Sequence, residues 1–230
     1  MIKDKRDYLS FLFLLITLFV AAVMIKMHTS TLYNGIPYQA NPVFYAIYIL
    51  LYFDLAIYMF GTGEQYFSNY GIYILTRYRK KAIFYYRFLL LLSRKIIFFS
   101  LAKLLICFIL SQILFPDADS ISKTVLVFYL INTLVEIVLC MLQLILEILF
   151  DSRWALCIVI GYYIISIVLT DILYFYNIRN SAAFFFANWG MKYRVDVLNI
   201  PYYILVILLL ILWIFFIILG QKVVEKKDIL

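Results

Sequence analysis

The chain is 230 residues long, 67% hydrophobic and only 14% charged, with a formal net charge of +7. A water-soluble domain carries roughly a quarter of its residues as charges, and here the apolar residues come in long blocks, which excludes a soluble globular protein. The positive balance does not point to nucleic acid either, because the basic residues sit beside apolar runs, where membrane orientation and anionic lipid account for them.

Stretches this apolar must satisfy their backbone groups internally, as helices do, so the class is an all-α polytopic protein of the cell membrane. Met1–Tyr8 carries Lys3, Lys5 and Arg6 and is expected to stay in the cytoplasm. The uncharged run 9–25 is the first span; its basic start also suits a signal peptide, but no small-residue cleavage site follows. Lys26–Pro42 is turn-rich, with Asn34-Gly35 and two prolines, and is expected outside. Residues 43–60 return as the second span.

Gly61–Arg87 is too polar to cross a bilayer and too aromatic for a solvated loop. Arg77, Arg79, Lys80, Lys81 and Arg87 place it in the cytoplasm. Thr62 and Gln65 have the spacing of a capping box. Beyond them Tyr66, Tyr70, Tyr73 and Arg77 fall on one helical face. Such a face suits docking to a protein partner, and it equally suits an amphipathic helix lying in the headgroup layer.

The third helix is expected to start within Lys80–Arg94 and to cross over about 96–115. A short outside turn leads to spans at 124–150 and 154–176, joined by the tight inside turn Asp151-Ser152-Arg153. The outside segment Asn177–Ile200 contains Ser181–Gly190, apolar but too short to cross, and readable as a re-entrant helix or as a helix packed on the outer surface. The sixth span is 202–219, and the tail ends inside. Inside segments hold twelve basic residues against five outside, which supports six spans with both termini cytoplasmic. No repeat or linker interrupts 1–230, so a single transmembrane domain is expected.

Charges within spans cost on the order of 2–4 kcal/mol each and mark candidate sites. They are Asp54, Lys103, Glu136, Glu147 and Asp171, of which Glu147 and Asp171 lie near span ends with access to water. Glu136, Gln143 and Glu147 can share one face, expected to point into protein. A polar translocation path accounts for these charges, and so does a Lys103–carboxylate pair that only fixes helix packing. Cys107, Cys140 and Cys157 lack paired spacing and read as small buried hydrophobes, with no metal site or disulfide. Catalytic signatures are missing: the only histidine is His28, and no phosphate-binding loop occurs, so no catalytic residues and no enzyme activity are assigned.

Layout and motif together resemble the permease subunit of a type-2 ABC exporter, of the small Gram-positive kind. Six spans, cytoplasmic termini and a principal cytoplasmic loop between spans two and three are the family's arrangement. Tyr70-Gly71-Ile72-Tyr73-Ile74-Leu75-Thr76-Arg77 is similar to its coupling-helix segment, Arg94-Lys95 fills the place of the basic residue heading the third helix, and Ser181–Gly190 matches its re-entrant helices. The resemblance implies a cytosolic ATP-binding-cassette subunit that binds ATP and Mg, this chain itself needing no cofactor. That subunit would dock on Tyr66, Tyr70, Gly71, Tyr73, Ile74 and Arg77. It also implies a second permease copy or a similar chain, and export of, or immunity to, a peptide, bacteriocin or lipid-like substrate. The small outside region departs from relatives with large external domains. The alternative is a non-transporting membrane protein, such as a stand-alone bacteriocin-immunity or assembly factor.

Overall fold

The computed structural model describes residues 5–69, 81–115 and 122–226, and all their regular structure is helical. Helix α1 spans Lys5–Ile25, the short α2 Thr29–Asn34 and α3 Pro42–Met59. Asn41 caps α3, its Oδ1 accepting from the Val43 N–H at 3.2 Å, with Pro42 in the first helical position. One turn, α4 (Thr62–Glu64), continues as a π-helical turn over Gln65–Asn69. Helix α5 runs Lys81–Leu114, α6 Lys123–Leu149 and α7 Ser152–Phe175. Two 3₁₀ turns, Arg179–Phe184 and Phe186–Gly190, precede α8 (Lys192–Leu198) and α9 (Tyr202–Lys226).

Six of these helices are long and apolar enough to cross a membrane: α1, α3 with its continuation, α5, α6, α7 and α9. Their positions agree with the sequence reading to within a few residues, except that α9 continues to Lys226, past the expected end at 219; α5 starts at Lys81, inside the expected range, and runs unbroken for 34 residues. At 1.5 Å per residue α5 is about 51 Å long, against a hydrocarbon core of roughly 30 Å. The crossings alternate. Phe11 near the start of α1 meets Tyr58 near the end of α3, and Gly220 near the end of α9 packs on Tyr85 of α5 and Ile145 of α6. At the opposite end Phe128 of α6 meets Tyr202 of α9. The start of α1 and the end of α9 therefore share one end of the bundle.

Helix α6 is the hub. It touches α2, α3, α5, α7 and α9 and the second 3₁₀ turn, and 61% of its most apolar window is buried, against 17% for α9. A helix surrounded by protein is apolar all round, and from Val135 to Ile148 almost every residue of α6 is buried. Cys107 and Cys140 are buried as expected, but Cys157 is exposed on α7, a correction that follows from α7 being a peripheral helix with one face turned away from the bundle.

The Ser181–Gly190 stretch is buried at both its ends, while Phe184 in its middle is exposed. Ser181, Ala182, Ala187, Asn188, Trp189 and Gly190 are buried, and Gly190 rests on Asn132, nine positions and roughly 13 Å along α6 from its first residue. Gly35 makes room for the end of this stretch. Its backbone lies at φ +78, ψ −160, a region open essentially to glycine alone, and a Cβ there would stand 2.4 Å from Met191 Cβ. Tyr48 of α3 ties down the same region by donating to the Thr31 carbonyl at 2.6 Å, which also accepts from the Gly35 N–H at 3.3 Å.

Gly35→Ala combines a forbidden backbone region with an overfilled contact, and is expected to destabilise by about 2–6 kcal/mol. Thermal melting of the detergent-solubilised protein measures this; a midpoint unchanged from the parent would contradict the packing described.

Candidate functional site

The polar residues buried in the bundle gather in three clusters, two on α6 and one between α7 and α8. At the centre, Lys103 of α5 forms an ion pair with Glu136 of α6, the two side chains being only 6% and 9% exposed. Lys103 Nζ also donates to Asn132 Oδ1 at 3.1 Å, and Ser100 Oγ and Thr133 Oγ1 share a hydrogen bond of 2.8 Å. The spacing explains the match. Positions 100 and 103 lie on one face of α5, and 132, 133 and 136 lie on one face of α6, so two polar patches meet face to face.

A cavity of about 30 Å³ opens beside this pair. Tyr48, Tyr52 and Tyr163 line one side, and Ala187, Gly190 and Met191 line another. Tyr52 is stacked on Tyr163 with ring centroids 4.2 Å apart. Among the described residues neither Glu136 Oε2 nor the Tyr52 hydroxyl has a hydrogen-bond partner.

The second cluster joins α6 to the segment that follows α3. Glu147 is 2% exposed, and its two oxygens accept from the backbone N–H groups of Gly61 and Gly63 at 3.0 and 2.9 Å. These are orphan donors at a helix start, so the carboxylate from another helix does the work of an N-cap and meets the positive end of the turn. Gln143 Nε2 donates both to Glu147 Oε1 (3.1 Å) and to the Ala56 carbonyl (3.2 Å). Gly63 allows the approach, since a Cβ would lie 2.7 Å from Leu144 Cδ1. On the other side, Ser152 at the start of α7 donates to Glu64.

The expected capping box is replaced by this arrangement. Gly61 occupies the cap with φ +68, and the Thr62 hydroxyl turns back to donate to the Met59 carbonyl at 2.5 Å. Glu147 has no open path to water, contrary to the sequence reading, because the Gly61–Glu64 turn closes over it.

The third cluster centres on Arg194 of α8, which is fully buried. Its guanidinium pairs with Asp171 Oδ1 of α7 at 3.0 Å and donates to Asn188 Oδ1 at 2.9 Å, to the Ile167 carbonyl at 3.2 Å and to the Ile36 carbonyl at 3.3 Å. Tyr45 of α3 donates to the other Asp171 oxygen. Asn188 in turn donates to the Ser166 carbonyl and to Thr170 Oγ1. Tyr38 lies over the guanidinium at 5.3 Å and stacks on Tyr174; burial pushes its phenol pKa up, against the opposing pull of Arg194. A rigid fork of five donors suits this many acceptors at once, which a lysine could not serve.

Among the sequence-selected residues, the structure therefore brings Lys103 together with Glu136, and Gln143 with Glu147. Asp54 is buried beside Thr17 of α1, its Oδ2 unpartnered, and no described hydrogen bond links it to the other four. Tyr66 is half-buried and stacked on Phe84 and Phe88 of α5, at 4.6 and 4.2 Å between centroids, so its ring packs within the chain. Tyr70, Gly71, Tyr73, Ile74 and Arg77 lie outside the described residues. Sequence reasoning missed Arg194, Asn188 and Tyr52. The signal for Arg194 was its phase: it shares a face with Val195 and Leu198, both buried, while Lys192 and Asp196 pair on the exposed side.

Residues 3–230 match the family model "Protein of unknown function (DUF2705)". The chain belongs to the DUF2705 family. No curated protein and no solved structure matches it.

Removing one partner of a buried pair leaves an uncompensated charge, whereas removing both does not. Glu136→Leu or Lys103→Met alone is thus expected to cost about 3–5 kcal/mol, and the double variant less than either single one. Denaturant unfolding of the three variants checks this; a double variant as unstable as the sum of the singles would show that the two groups do not interact.

Proposed function

We propose that this chain is the transmembrane permease subunit of an ATP-driven exporter, coupling a separate cytosolic ATP-binding-cassette subunit to export of, or immunity to, a peptide, bacteriocin or lipid-like substrate. The observation that carries the reading is the Glu147 clamp. It fixes the first turn after the second span to the hub helix of the bundle through two backbone hydrogen bonds, and Ser152 secures the same turn from α7. A segment that receives force from a partner has to be joined stiffly to the element it moves, and charge-assisted bonds to main chain are among the stiffest joints available.

In this reading the end of the bundle holding the start of α1 and the end of α9 faces the cytoplasm, in line with the excess of Lys and Arg there. The partner carries the phosphate loop this sequence lacks and binds ATP and Mg. It docks on Tyr70, Gly71, Tyr73, Ile74 and Arg77, and a second permease copy or a similar chain completes the complex. One observation favours the alternative of a non-transporting immunity or assembly factor: the central cavity, at about 30 Å³, is no passage for a peptide. A transporter resolves this by opening, which a static protein has no need to do.

Affinity purification from the native cell is expected to recover the ATPase subunit. The Tyr73→Ala/Arg77→Ala double variant is expected to lose it by about tenfold or more, as truncation of two interface anchors does. Recovery of the ATPase unchanged by the double variant would overturn the docking assignment. Glu147→Gln keeps the docking residues but replaces one acceptor oxygen by a donor. It is expected to retain ATPase binding while ATPase stimulation by substrate falls; full stimulation in that variant would show that force does not pass through this joint.

A further inference from the structure

We propose that the cavity between Lys103, Glu136 and Tyr52 is a closed binding site for a backbone amide of the cargo, covered by Phe186–Gly190; this rests on the transport reading above. The argument starts from unused hydrogen-bonding capacity. Lys103 and Glu136 neutralise each other, so a ligand that leaves the pair intact carries no net charge. Glu136 Oε2 and the Tyr52 hydroxyl, an acceptor and a donor on residues that line the cavity, have no partner among the described residues and are only 7% and 5% exposed. In an apolar interior such groups are expensive to leave unmet. A hydrocarbon tail would leave both unmet, and an ion would unbalance a neutral pair. An amide is neutral and offers an N–H for Glu136 Oε2 and a carbonyl for Tyr52 in one planar unit. Stacking on Tyr163 holds the Tyr52 ring in place for this role.

In the present conformation the space admits about one water molecule, too little for an amide. Its cover is the second 3₁₀ turn and Met191: Ala187, Gly190 and Met191 complete the wall, and Gly190 presses on Asn132 so closely that a Cβ would lie 2.9 Å from Nδ2. The cover is latched from the far side. Asn188 within it is gripped by Arg194, and Arg194 is anchored by Asp171, which Tyr45 also holds. Loosening the Arg194–Asp171 pair removes one of the bonds behind the cover, beside those to Ser166, Thr170, Ile167 and Ile36, and shifts the site toward opening from the end opposite the chain termini.

The test uses the full chain in lipid nanodiscs, with Cys107, Cys140 and Cys157 replaced by alanine and Leu139→Cys placed on the cavity wall. The probe is a cationic, membrane-impermeant thiol reagent. With the latch intact Leu139→Cys is expected to be nearly inert. Asp171→Asn is expected to raise its labelling rate about tenfold or more, as a shift in an open–closed equilibrium does. Tyr45→Phe, which keeps the ion pair, should raise it less and serves if Asp171→Asn does not fold. In the opened protein, neutral N-acetylglycinamide should slow labelling and lose that effect in Tyr52→Phe, whereas acetate and hexanol at the same concentration should not slow it. A rate indifferent to both latch variants in a cooperatively melting protein would overturn the cover. Protection absent, or unchanged in Tyr52→Phe, would overturn the amide site. No ATPase is present in these measurements, so failure to find a partner subunit would sink the transport reading while leaving the labelling outcome to be judged separately.

Discussion

A charged side chain inside a hydrocarbon slab has no water to turn to, so its partners must be built into the protein beside it. That constraint shapes this fold more than any other. Helix α6 carries two carboxylates into the bundle, and each finds its partners on a different neighbour: Glu136 on α5, Glu147 on the main chain after α3. The helix that holds them is accordingly the most enclosed of the six. Remove those polar bonds and α6 loses the features that fix its rotation and depth, because apolar side chains packing against apolar side chains tolerate sliding far more readily than paired charges do.

The three polar clusters divide the molecule along its length. One ties the first turn after α3 to α6 and α7, one sits midway, and one binds α8 to α7 through a single arginine, with Tyr45 of α3 joining at Asp171. Each cluster keeps a buried polar atom with no partner among the described residues: Gln143 Oε1 in the first, Glu136 Oε2 in the middle one and the Tyr38 hydroxyl in the third.

The spans were legible because uninterrupted apolar blocks have few other physical outcomes. The Lys103–Glu136 pair was legible for a related reason: a cation and an anion, each in the middle of its own span, are costly apart and favourable together. The partner of Glu147 was not. Its phase on α6 gave the buried face, but the groups it bonds are backbone amides of Gly61 and Gly63, and an amide carries no mark in the sequence. Arg194 escaped because a loop charge is normally solvated; only its alignment with Val195 and Leu198 hinted at burial. The capping box at Thr62 and Gln65 was a sound local pattern overruled by a carboxylate more than eighty positions away.

Helix α5 bears on how this protein meets its surroundings. It spans 34 residues without a break, and its first turns are pinned by aromatic stacking on Tyr66 and by Tyr85 against Gly220. A helix longer than the hydrocarbon core either leans or projects beyond it, and Lys81, Arg87, Arg94 and Lys95 in its first half suit projection into the headgroup layer. Bilayer thickness thus bears on how much of that basic first half meets the headgroups, and the segment after α3, stacked on it through Tyr66, is held at the same depth.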